Sequence, residues 1–261
     1  MTTRVPLTEV GRRGRMDLVF ALQDGRTVLR NAYCEVPFKV TRVLSSDSPL
    51  AHVILMHSTA GLFGGDDLEC TIRVETGARV RLTQQSAAKI HPSEDRVALQ
   101  RTRVVVESGA ELELHLEALI PFAESRLSQQ THLEVESGGR LSYWEGFMTG
   151  RAGRGESWKF HELASETRLN VGGKLIYLDR FRIVPGEMPH SPPFSPWTMD
   201  TADYTGIGLH VSGDAREFAS RLRESIPDAG VDTLDGNTAL VRVVAPSGPE
   251  FHRCRDMFCT L

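Results

Sequence analysis

Cysteine is scarce and scattered. The four thiols, Cys34, Cys70, Cys254 and Cys259, form no CxxC pair, so the spacing that zinc ribbons and thioredoxin-like redox sites need is missing. With no signal-peptide pattern ahead of them, they read as reduced cytosolic thiols. Arg12-Arg13 invites an export reading, but the apolar run behind it, Leu18 to Leu22, is too short and ends at Gln23-Asp24-Gly25. No apolar run is long enough to cross a bilayer as a helix. The net charge is only −4, with both signs interleaved, which leaves no basic footprint for nucleic acid or an anionic membrane. We expect a cytoplasmic protein that binds neither.

The common enzyme signatures are missing as well. Without GxxxxGK[ST], the glycines around Gly64 are no nucleotide loop, and the chain alone is not expected to hydrolyse GTP or ATP. There is no GxSxG elbow and no HExxH helix. His52 and His57 lie five apart on an extended segment and face opposite sides. Each of the nine histidines reads as a solvated or hydrogen-bonded residue, not a metal ligand. Cys254 and Cys259 diverge on a helix and read as packing.

What is there is organised around residues 52–69. His52 to Met56 is a short apolar run that suits a strand covered on both faces. Gly61, Gly64 and Gly65 then permit a tight turn, and Asp66 and Asp67 stand at its exit. Beyond it Leu68, Cys70, Ile72 and Val74 share one face of a strand. A draped start over residues 1–15 precedes a hairpin, Asp17 to Leu22 and Thr27 to Arg30, turning at Asp24-Gly25. A strand over Val36 to Leu44 runs into the polar break at Ser45 to Pro49.

Similar turns then recur at Gly77, Gly109, Gly138 and Gly172, about thirty residues apart. Alternating strands follow each: Val80 and Leu82; Leu112, Leu114 and Leu116; Leu141 and Tyr143; Leu175 and Tyr177. Such a period fits strands stacked coil on coil, and also consecutive hairpins of a sandwich. We expect one mainly β domain over residues 1–261, a two-layered β-helical or sandwich-like stack of antiparallel and parallel strands. Five prolines make residues 185–197 a loop, read as a surface connection and not a docking site. A helical period then places Ala215, Phe218, Ala219 and Leu222 on one face, behind Ser212 and Asp214 as cap candidates. After a strand, Thr238 to Val244, Ser247-Gly248-Pro249-Glu250 opens a second helix with Phe251, Cys254 and Phe258 inward.

Three carboxylates stand out. Asp66 follows Gly64-Gly65, Glu145 shares the apolar strand face of Leu141 and Tyr143, and Glu156 closes a glycine-arginine run. An inward carboxylate needs a partner, an ion or water. A salt bridge from Glu145 to Arg151, Arg154 or Lys89 is one reading, and a polar path for an ion is the other.

These segments carry a resemblance. Ser58 to Asp66, Leu82 to His91, Leu116 to Phe122, and Trp144-Glu145 with Gly150-Arg151 and Gly155-Glu156 resemble, in order, four motifs of the UreD (UreH) family of urease accessory proteins. The matching positions include Gly61, Gly64, Gly65, Lys89, Trp144, Arg151 and Gly155. Gln84-Gln85 and His91-Pro92 depart from the family pattern. The resemblance implies a two-layered β-helical fold and a non-enzymatic maturation factor. It also implies a complex with the accessory protein UreF and the GTPase UreG that docks on urease apoprotein and lets nickel reach the active site. On this reading no cofactor is tightly bound, nickel is transient, and Asp66, Glu145 and Glu156 are candidates to line its path. Isolated carboxylates suit a conduit better than a tight cage, because Ni²⁺ sits high in the affinity order. The alternative is a β-helix or sandwich hydrolase or lyase acting on carbohydrate through paired carboxylates such as Asp66 and Glu145.

Overall fold

Period-two alternation carries most of the chain into two facing sheets. The computed structural model describes residues 11–44, 50–187 and 202–261. In chain order its elements are β1 (Arg13–Gln23), β2 (Arg26–Cys34), β3 (Phe38–Val40), β4 (Ala51–His57), β5 (Asp67–Val74), β6 (Arg79–Gln84), β7 (Lys89–Ile90), β8 (Ala98–Val106) and β9 (Glu111–His115). There follow β10 (Ile120–Pro121), β11 (Arg126–Val135), β12 (Arg140–Met148), β13 (Glu162–Val171), β14 (Lys174–Ile183), β15 (Tyr204–Val211), α1 (Ala215–Ser225), β16 (Gly230–Thr233), β17 (Thr238–Ala245) and α2 (Gly248–Thr260).

The first sheet runs β14-β13-β11-β8-β5-β1-β2, and the second β16-β17-β15-β12-β9-β6-β4-β3. Neighbours β1, β5, β8, β11 and β13 are parallel, as are β4, β6, β9 and β12, and antiparallel strands finish the edges. This is the coil-on-coil stack: mainly β, mixed sheets, two C-terminal helices. Each coil steps between sheets through a glycine turn, as where Ala78 N–H donates to Glu75 O at 2.9 Å around Gly77 at φ +77°. The stack adds a link that no single turn reveals. The Glu107 carboxylate accepts the Thr76 N–H, and the Glu136 carboxylate accepts the Ser108 N–H, both at 3.0 Å, so each turn caps the one before.

The main core lies between the sheets, where Leu68, Ile72, Leu82, Leu112, Leu133 and Leu141 are buried. A second cluster lies behind the second sheet, under the helices. There α2 sits directly on the sheet: a Cβ on Gly206 would lie 2.7 Å from Phe251, and one on Gly208 2.7 Å from Phe258. Trp144 completes this seat, its ring 5.3 Å from that of Phe258. Ala215, Phe218, Ala219 and Leu222 face the same cluster, as their period required. The Ser247 hydroxyl caps α2 by accepting the Glu250 N–H.

Several local expectations are corrected. The chain is already strand at Arg13, with Gly14 and Met16 buried, while residues 1–10 lie outside the described residues. The strand expected over Val36–Leu44 shortens to β3, because the Thr41 hydroxyl takes the Ile54 N–H at 3.0 Å and interrupts the ladder. β4 is buried on one face only: His52, Ile54 and Met56 stay half-buried, since the helices pack over β15, β16 and β17 and leave this end of the sheet uncovered. Leu175 is exposed, because the Gly172 turn closes an antiparallel hairpin with a register shift instead of starting a new coil. The break at 45–49 and residues 188–197 of the proline-rich loop lie outside the described residues; residues 185–187 form a short 3₁₀ turn.

Candidate functional site

The inner face of the first sheet should be apolar throughout, and two rows break the rule. In register across five neighbouring strands stand Cys70, Thr102, Thr131, Thr167 and Asp179. One pleat away, Gln100, Gln129 and Ser165 form a second row. Apolar rows such as Ala98-Leu127-Leu163 and Val104-Leu133-Leu169 flank them. A polar belt thus crosses the core at right angles to the strands. Opposite it, the row Gln84, Leu116, Glu145, Ile207 and Arg242 crosses the second sheet, with Glu145 at its centre.

Between these rows lie two cavities, of about 470 Å³ and about 70 Å³. Ser165, Thr167, Asp179, Arg180, Arg182 and Arg242 line the larger, beside Phe147, Trp158 and Phe181. The smaller is lined by Met16, His57, Cys70, Gln84, Gln100, Thr102, Glu117 and Thr131. Leu119, Gln129, Glu145 and Gly146 line both, so the cavities meet at Glu145.

Glu145 is enclosed between the sheets yet keeps some exposure, because the cavities reach it. The Thr167 hydroxyl donates to its Oε1, and Gln129 Nε2 donates to its Oε2 at 3.3 Å. Burial, with a smaller push from the Asp179 charge, raises its carboxyl above the usual carboxylate range, and Thr167, Tyr143 and Gln129 offset part of that rise. None of the three cations weighed as salt-bridge partners holds it: Arg151 is committed to Glu156, and the neighbours that bind Glu145 are a hydroxyl and an amide.

Beside the larger cavity a link joins the two sheets. Arg242 of β17 donates to the Tyr177 hydroxyl at 3.0 Å and lies 3.4 Å from the Asp179 carboxylate, both on β14. At the smaller cavity, Glu117 N–H donates to Gln84 Oε1 at 3.2 Å, and Arg255 of α2 binds the Glu117 carboxylate at 2.5 Å. Burial holds His57 below the usual imidazole range and pushes the Cys70 thiol up to about 12. The buried Gln100 Oε1 has no hydrogen-bond partner among the described residues. The lining offers hydroxyls and amides with three separate carboxylates, Glu145, Asp179 and Glu117, of which Asp179 is paired with Arg242 and Glu117 with Arg255. Among the described residues, no cluster of three or more His, Cys, Asp or Glu side chains is placed to hold a metal.

The three carboxylates singled out from sequence occupy three settings. Asp66 is buried and accepts the backbone N–H groups of Arg12 and Phe63, each at 2.9 Å, which ties its own turn to the residue just before β1. Glu156 makes a two-pronged contact with Arg151 at 2.6 Å, and Arg151 stacks over Phe122. Neither lines the cavities; Glu145 lines both.

The motif positions build the frame. Gly61 makes room for the Lys89 carbonyl, which would lie 2.2 Å from any Cβ and which accepts the Leu62 N–H at 2.8 Å. Gly64 makes room for Ser93, Gly65 turns at φ +89°, and Gly155 ends a short 3₁₀ turn at φ +68°. Of the departures, Gln84 lines the smaller cavity and Gln85 donates its N–H to Leu55 O. His91 stacks on Phe63 at 4.3 Å, and Pro92 bridges to Ser125. Gln129, Thr131, Thr102 and Thr167 were missed from sequence. Their signal was a polar pair at inward positions of three successive long strands.

Over residues 12–260 the chain matches the model of the UreD urease accessory protein family. It is 30% identical to the urease accessory protein UreD of Deinococcus radiodurans, over 98% of this chain and 94% of that protein. It is 33% identical to UreD 2 of Streptomyces griseus, over 88% of this chain and 79% of that protein. It is 29% identical to UreD of Mycolicibacterium gilvum, over 92% and 90%. With its polar seam and coil-on-coil sheets, the chain belongs to the UreD family of urease accessory proteins.

Proposed function

We propose that this chain is a non-enzymatic maturation factor of the cytoplasm. It binds urease apoprotein and joins, through a UreF-type accessory protein, to the GTPase UreG. In that assembly its inter-sheet seam passes Ni²⁺ toward the urease active site during GTP-dependent insertion. The observation that carries this reading is the pair of cavities meeting at Glu145 along a polar belt in an apolar core. Such a belt has no packing rationale, since apolar side chains at the same positions would cost less.

The chemistry suits transit. Hydroxyls, amides and carboxylates that stand apart from one another bind Ni²⁺ weakly and exchange with water, whereas a clustered His/Cys cage would hold it. The carbohydrate-enzyme reading loses its pair, because Asp66 lines neither of the cavities that hold Glu145.

The test is a reconstitution with urease apoprotein, both accessory partners, GTP and nickel supplied on the GTPase, with a chelator in bulk solution. The wild-type chain should load urease under these conditions. Ser165→Trp, which puts an indole into the larger cavity, should bind the same partners and load little. Wild-type loading that the chelator abolishes would overturn the conduit.

A further inference from the structure

Four residues line both cavities, and two of them, Leu119 and Gly146, bring no polar side-chain atom. The junction is therefore a meeting of one amide and one carboxylate: Gln129 from β11 and Glu145 from β12, reaching toward each other from opposite sheets. The amide nitrogen is fully committed. Gln129 Nε2 donates to Glu145 Oε2 at 3.3 Å and to the buried Ser165 hydroxyl at 2.9 Å. Ser165 is its in-register neighbour on β13, and Gln100 its in-register neighbour on β8.

We propose that Gln129 is the positioning residue of the passage: it anchors to Ser165, fixes the Glu145 carboxylate where the two cavities meet, and partitions them. This rests on the conduit reading and names the residue that regulates it. An amide has two donors and one acceptor. With both donors placed, its carbonyl oxygen remains the acceptor that a passing dication would find beside the carboxylate. A cation crosses when Gln129 releases Glu145, so the bond is a weak, neutral stop that holds without trapping. A carboxylate in its place would turn the stop into a two-carboxylate chelate. An aliphatic residue would leave Glu145 tethered by Thr167 alone.

The experiment uses the full chain in complex with its partners and Ni²⁺ as the probe. Gln129→Leu should slow nickel loading of urease about tenfold, the loss of one hydrogen bond to a charged group, with partner pull-down unchanged. Gln129→Glu, which keeps the shape, should raise the affinity of the complex for Ni²⁺ about tenfold while slowing delivery. A merely structural glutamine would not tighten nickel binding. Where the leucine variant does not fold, the isosteric glutamate variant decides. Unchanged Ni²⁺ affinity in Gln129→Glu, or wild-type delivery in a folded Gln129→Leu, overturns the assignment. Glu145→Lys, run in parallel, separates the two ideas. If Glu145→Lys blocks loading while both Gln129 variants behave as wild type, the assignment to Gln129 fails alone; if Glu145→Lys also loads normally, the conduit fails with it.

Discussion

Reversing the charge at Glu145 should stop nickel transfer without unfolding the protein. The larger cavity already carries Arg180, Arg182 and Arg242 against Asp179 and Glu145. Glu145→Lys would leave four cations facing one acid. A dication about 4 Å from a unit charge interacts by about 8 kcal/mol at an effective dielectric of 20 and by about 2 kcal/mol at that of bulk water. Even at the aqueous limit, turning attraction into repulsion swings the site by about 4 kcal/mol, close to a thousandfold in occupancy. The narrow side sharpens this, because 70 Å³ has room for about two waters at about 30 Å³ each. An ion there is short of hydration and depends on protein oxygens. Folding should survive, since a lysine stem can extend into the 470 Å³ cavity. Glu145→Ala should be mild, within about threefold, because water can replace a single ligand beside Thr167 and Gln129. The assay is the nickel content and activity of reconstituted urease, with pull-downs and thermal unfolding as controls. A lysine variant that folds, binds its partners and loads urease at the wild-type rate would refute the reasoning at its centre.

Stability should report Glu145 with the opposite sign. Its folded-state pKa lies above that of the unfolded chain, so the carboxylate destabilises the fold most above both values, and the penalty fades as pH falls through the folded value toward the unfolded one. Denaturant midpoints against pH should show Glu145→Gln gaining stability near neutrality and losing that gain in acid; a uniform shift would contradict this. Phe251→Ala, which empties the seat over Gly146 and Gly206, should cost about 3–5 kcal/mol in urea unfolding, and a loss below about 1 kcal/mol would show that α2 is not clamped there. Asp66→Ala should lower stability by about 1–3 kcal/mol, because it orphans two backbone N–H groups, while nickel delivery per folded molecule stays at the wild-type level. A delivery defect in stable Asp66→Ala would instead put Asp66 on the path.

Local signals were legible in the sequence, and the relations between distant segments were not. Leu68, Cys70, Ile72 and Val74 alternate, and the helical face of Ala215, Phe218, Ala219 and Leu222 recurs every three or four residues; each was found where its period placed it. Glu145 could be read as inward from its strand parity alone. Its partners could not, because Gln129 and Thr167 sit on two other strands whose register is set by parallel pairing across coils. The glutamines and threonines of the belt look like ordinary polar strand residues until that register aligns them. Asp66 misled for the reverse reason: a carboxylate after two glycines looks exposed and chemical, yet its acceptors are spent on the chain's own backbone.

The glycine seat for α2 has a consequence in time. Trp144 and the bare strip at Gly146, Gly206 and Gly208 are made before Phe251 and Phe258, which follow Trp144 by more than a hundred residues. At about 5–20 residues per second, the ribosome leaves an indole and an uncovered sheet face waiting roughly ten seconds for their cover. Until those two residues emerge, the nascent protein presents a sticky flank that a chaperone or a neighbouring chain can occupy first. A message cut short anywhere within the last helix would make that exposure permanent, and its product should be cleared or aggregate instead of working at reduced capacity.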